Sequence, residues 1–253
     1  MSPALTAELR KLRATRTTAC AALVVLALSA ALAAANVLLA GKEQNPDLDA
    51  DTFHHIVRAP TMVLGFAMVV VGVLASAGEY RHNTIVPTLL AQPRRRAVVA
   101  AKLHAVATAG LVMALASAAV STAVGLPLLA SQDAPSADPG PMPSALLVLV
   151  ATGVVYGLLG VGLGLLLRNQ AVAMTTALVW WFVVERIAPA VLREPHAAKY
   201  LPGGAADAFV RLGDPSRTVS GQVAPWLGGV LLAAYALGLA VLATAALVRR
   251  DQT

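Results

Sequence analysis

The sequence predicts an all-α, polytopic membrane protein, on three observations: a composition too apolar for water, six long runs nearly free of charge, and a one-sided distribution of Lys and Arg between them. Of 253 residues, 58% are hydrophobic and 13% charged, and the mean hydropathy is +0.72. A soluble domain carries roughly a quarter charged residues and under half apolar. Crossing a hydrocarbon core of about 30 Å takes about 20 apolar residues, and only a helix can satisfy the backbone of such a segment in lipid. These features exclude a soluble enzyme domain.

The runs lie at 17–40, 60–77, 103–130, 144–167, 171–190 and 226–248, and each is expected to be a transmembrane helix of a single membrane domain covering 1–253. Glu185 and Arg186 interrupt the fifth run. Ionisable groups at membrane depth are costly, so this candidate charge pair either has a function or marks the outer interface. The connections on one side hold 12 of the 19 Lys and Arg residues and are net +9, while the opposite side is net −3. Lys and Arg are retained in the cytoplasm, so both termini are expected there. The formal charge of +6 thus follows from topology and calls for no nucleic acid. The 24 residues of the first run exceed the 7–15 of a signal peptide's apolar h-region, so an uncleaved first helix is expected over a cleaved signal. The single cysteine, Cys20, rules out a disulfide framework.

Residues 1–16 begin Ser2-Pro3, a helix-start pair. Leu5, Leu9 and Leu12 then share a face, with Arg10, Lys11, Arg13 and Arg16 projecting elsewhere. This suits an interfacial helix held by anionic headgroups; a basic tail without fixed structure is the alternative. Between the second and third runs, Asn83 and Thr84 can cap a short helix that carries Ile85, Val86, Leu89 and Leu90 on one face. Pro87 falls in its first turn, where no intrahelical bond is lost. Pro93 stops it, and Arg94, Arg95 and Arg96 anchor the next segment at the interface. Such an apolar face either meets a partner or tucks against the protein's own spans. Segment 191–225 contains KYLPGGAADAFVRL, whose composition allows a re-entrant segment or a surface loop.

No G-x-x-x-x-G-K-[ST] phosphate loop is present, so the chain is expected to bind no nucleotide by that route. Gly153, Gly157, Gly160 and Gly164 form two small-xxx-small pairs suited to close helix packing. Adjacent His54 and His55 lack further ligands for a metal, and no catalytic residues can be assigned. A membrane-embedded enzyme, such as an intramembrane protease or lipid-modifying transferase, would need clustered polar groups at depth. None can be read out.

Glu79, Thr84-Ile85, Leu89-Leu90, Pro93 and Arg94–Arg96, together with the opening AELRKLRATR and the later KYLPGGAADAF, resemble ABC-2 type transporter permeases. The resemblance implies a subunit of a bacterial plasma-membrane exporter that pairs with a second permease copy or a related chain, and with a separate ATP-binding subunit. ATP and Mg would belong to that partner, with no cofactor on this chain. It also implies that 79–102 holds a coupling helix touching the partner through Glu79, Thr84, Ile85, Val86, Leu89 and Leu90, that the N-terminal helix lies along the interface, and that 191–225 is partly re-entrant.

Overall fold

Sequences rich in Ala, Leu and Val satisfy their backbones locally as helix, and among the described residues helix dominates. The computed structural model describes residues 3–40, 48, 52–92, 94–132, 142–185, 187, 191, 198–212 and 223–249, and contains no strand among them. Helix α1 (Pro3–Ala14) meets α2 (Arg16–Leu38) at Thr15, whose extended backbone separates the two. Only Ala59 and Pro60 separate α3 (Thr52–Arg58) from α4 (Thr61–Arg81). A short α5 (Ile85–Ala91) leads into the long α6 (Arg95–Ser131), and α7 (Met142–Leu167) comes after it. Helix α8 (Gln170–Val179) continues as a π-helical turn, Trp180–Val184. A 3-10 turn at Ala198–Tyr200 precedes α9 (Pro202–Val210), and α10 (Pro225–Arg249) comes last.

Among the described residues, five helices are long and apolar enough to cross a membrane: Arg16–Leu38, Thr52–Arg81, Arg95–Ser131, Met142–Leu167 and Pro225–Leu247. The run expected at 171–190 instead contributes a shorter apolar helix, Gln170–Val184. At 1.5 Å per residue it reaches about 22 Å. The second span begins earlier than the apolar run at 60–77, because Arg58 finds protein partners that let α3 continue outward from α4. Ser2, Pro93, Arg186 and Arg250, the loop residues 41–47 and 133–141, and 213–222 of the last expected loop lie outside the described residues.

Helix α7 is the centre of the bundle. Its buried residues, from Ala145 and Val148 through Tyr156 to Leu165, recur at three- and four-residue spacing in one broad stripe, with Gly162 buried outside it, and it packs against α4, α6 and α10. Glycine permits these approaches. A Cβ at Gly160 would overlap the Val69 carbonyl, and one at Gly164 the Ser76 hydroxyl. Gly153 faces Gly110 across α6, where a Cβ would lie 2.7 Å from the Gly110 oxygen. At Gly157 it would sit 2.8 Å from Val106 Cγ1. Close backbone approach replaces the hydrophobic drive that is missing between helices in lipid. By contrast α2 and α10 leave Leu23, Val24, Leu237, Val241 and Leu242 exposed, as surfaces for lipid or other protein.

Candidate functional site

Four charges from three elements meet at the basic end of the bundle. Lys102 lies on the α6 face that also buries Val98, Val99, Ala105 and Val106, and its side chain is 0% exposed. It satisfies all three donors of an ammonium. Lys102 Nζ reaches Glu8 Oε2 of α1 at 2.9 Å and the Ala75 carbonyl of α4 at 3.1 Å. Its third partner is Glu79 Oε1, at the end of α4, at 2.8 Å. Lys11, on the next turn of α1 from Glu8, spans the same two carboxylates, at 2.8 Å from Glu8 Oε1 and 2.7 Å from Glu79 Oε1. It also donates to Thr88 Oγ1 of α5 at 3.4 Å. Two carboxylates and two ammonium groups balance, which offsets their cost of burial. Burial works against the Lys11 charge. The hydrogen bonds and charges of Glu79 and Glu8 outweigh it, and the Lys11 pKa is raised above its ordinary value.

Helix α5 projects from this cluster. Asn83 is left-handed, with φ 55°, and Thr84 N–H donates to the Glu79 carbonyl at 2.9 Å while Asn83 N–H donates to that of Tyr80. This pair of bonds closes α4 in a Schellman turn. Here the structure corrects the capping expectation. Thr84 occupies the N-cap position of α5, but its side chain makes no cap bond, because its hydroxyl turns back to the Glu79 carbonyl. Ile85 is half-buried, while Val86 and Leu90 are 59% and 77% exposed. The Leu89 side chain lies outside the described residues.

The remaining basic residues divide in two. Arg10, Arg13, Arg94 and Arg96 are exposed. Arg95 instead donates to the Leu247 carbonyl at 2.9 Å, and Arg168 to that of Ala246 at 3.2 Å. Both cations meet the C-terminal carbonyls of α10, where the helix leaves acceptors free and favours positive charge.

A second polar centre lies at the other end of α4. Arg58, 6% exposed, donates to the Val210 carbonyl at 3.1 Å, to Ser144 Oγ at 2.8 Å and to the Leu212 carbonyl. It thereby closes the C-terminus of α9 against the start of α7. The N-terminus of α9 has no cap of its own. Glu185 supplies one: its Oε1 accepts from Gly203 N–H at 2.7 Å and from Trp180 Nε1 at 2.9 Å. The π-helical turn brings residues five apart onto one face, setting Trp180 over Glu185. A Cβ at Gly203 would overlap the carboxylate, so only glycine lets it lie on the backbone. Glu185→Ala is expected to cost about 1 kcal/mol, the worth of a helix cap. Hydrogen exchange should speed up at the amides of 203–206 and stay unchanged in α7.

Among the described residues no three His, Cys, Asp or Glu side chains gather as a metal site would require. Glu8, Lys102, Arg58, Trp180 and Gly203 were not picked out by sequence as site residues. Apart from Glu8–Lys11 and Trp180–Glu185, their partners are remote in the chain, and only the Glu8-Lys11 spacing on α1 hints at one of the contacts.

Residues 7–218 match the family described as ABC-2 family transporter protein. The chain belongs to the ABC-2 transporter family. No curated protein and no solved structure matches it. The protein is thus a multi-pass membrane permease of an ABC-type transporter, and membership implies association with an ATP-binding subunit. In this permease the segment from Glu79 to Lys102 joins a buried ionic cluster to a short helix with exposed apolar side chains.

Proposed function

We propose that the chain is the transmembrane half of an ATP-driven exporter in a bacterial plasma membrane, with six spans, α8 crossing as the short fifth, and both termini in the cytoplasm. A second permease chain completes the path, and α1 rests on the lipid surface. α5 is the coupling helix: its apolar side chains enter a groove on the ATP-binding subunit, which carries ATP and Mg. Nucleotide binding and hydrolysis there tilt α5, and the spans alternate their access to the two sides. The segment 198–212 dips back from the outer surface against α10.

The observation that carries this reading is the exposure of Val86 and Leu90 on a short helix at the basic end, in a chain of this family. An exposed leucine beside a membrane surface calls for a partner, since burying it is worth about 1.5–3 kcal/mol. Leu89→Ala with Leu90→Ala is therefore expected to weaken recovery of the ATP-binding subunit that co-purifies with the wild-type permease by roughly tenfold or more. The variant itself should still insert and elute as a folded protein. Undiminished co-purification would reject α5 as the docking helix.

A further inference from the structure

The ionic cluster at the basic end does more than neutralise charge. Three elements that are remote in sequence contribute to it, and each contribution is shared. Glu8 uses both oxygens, one for Lys11 and one for Lys102. Glu79 Oε1 serves both ammonium groups. Lys11 alone reaches on to α5, through Thr88. The partners of Glu8 and Lys102 lie on α1, α4 and α6, yet each of the two sets where Lys11 can lie. If Glu8 loses its charge, Lys102 keeps one carboxylate and Lys11 must compete with it for Glu79 Oε1.

From this we infer that Glu8, Lys11, Glu79 and Lys102 form an ionic joint, with Lys11 as the positioning residue that makes α1, α4 and α6 move with α5. The N-terminal helix is then a working arm of the permease rather than a passive anchor. The inference rests on the reading of α5 as the coupling helix for its use in transport, but the joint itself can be tested without any partner. Displacing α5 pulls Thr88 and Glu79 together. Lys11 carries that displacement into α1, while Lys102, held by Ala75, Glu79 and Glu8, carries it into α6. Because one network holds both ends, the effect must run in both directions: loosening α1 frees α5, and loosening α5 frees α1.

The test uses the full chain in nanodiscs with Cys20→Ser, so that a single nitroxide can be placed by Leu90→Cys on α5 or by Arg13→Cys on α1. Both positions are exposed. Glu8→Gln, a change remote from α5, is expected to move the spectrum at position 90 from its immobile toward its mobile component. Thr88→Val, which removes the α5 end of the Lys11 contact, should do the same at position 13. Lys102→Met combined with Glu8→Gln restores charge balance and should return the position-90 spectrum toward that of the unsubstituted chain. Unchanged spectra in Glu8→Gln and Thr88→Val, or a double variant as mobile at position 90 as Glu8→Gln alone or more so, would overturn the joint. Failure of docking by the Leu89→Ala, Leu90→Ala permease bears on the partner alone and does not decide these spectra, which are recorded without the partner.

Discussion

Lys102→Met is expected to have the largest effect of any single substitution at the basic end. The residue fits by volume, so the loss is electrostatic. Glu8 and Glu79 would share one ammonium, that of Lys11, and the Ala75 carbonyl would lose its side-chain donor. Breaking a buried pair by removing one partner costs about 3–5 kcal/mol, because the other charge stays buried. For a chain of this size each kcal/mol shifts the melting temperature by about 2–4 °C, so a fall of roughly 10 °C is expected. Thermal melts of the detergent-solubilised permease, monitored by loss of the folded elution peak, measure it. A fall of only a degree or two would show that the three contacts of Lys102 contribute little in the folded protein. Lys11→Met should cost less, since Lys11 is 46% exposed and water can replace part of what it gives Glu8 and Glu79.

The long helices were legible because their signal is local. Apolar runs fold as helices wherever they lie, and the small residues of α7 announce close packing by their spacing along one chain. The punctuation around α5 was also legible: Asn83 and Thr84 before it and Pro87 in its first turn bound a short helix. Its details were not, because Asn83 and Thr84 suit the end of one helix as well as the start of the next. The left-handed φ of Asn83 decided for the end of α4.

Charge was the hardest feature to read. A lysine at the basic boundary of a span satisfies the topology rule wherever it points, so Lys102 looked like one more retained cation. Its burial depends on Glu8, 94 residues away, and no spacing along α6 records that. The same holds for Arg95, expected at the interface yet bonded to the end of α10. Glu185, read in sequence as half of a candidate charge pair, accepts from Trp180 and from the backbone of Gly203, and no charge pattern can reveal a backbone partner. Arg186, with which it was paired in sequence, lies outside the described residues.

Arg58→Met is expected to have the second large effect, at the end of the bundle opposite Lys102. Arg58 is buried and gives its guanidinium to the Val210 and Leu212 carbonyls and to Ser144 Oγ. Methionine fills similar space and offers no donor, so two backbone acceptors and a hydroxyl lose this bond at once. Each buried group left without a partner costs about 1–3 kcal/mol, and the cation at the C-terminus of α9 is lost besides. α9 would still be held at its N-terminus by Glu185 and along its flank by α10, where Gly229 lies against Phe209. It should therefore swing out about that end rather than unfold. With Cys20→Ser and Ala208→Cys, a side chain buried in the wild type near the released end of α9, a membrane-impermeant thiol reagent should label Arg58→Met permease and leave the parent nearly unlabelled. Arg58→Lys should rescue poorly, because one ammonium cannot reproduce the planar fork that serves two carbonyls and a hydroxyl. If labelling stays at the parent level in both variants, Glu185 and the packing on α10 suffice to hold α9.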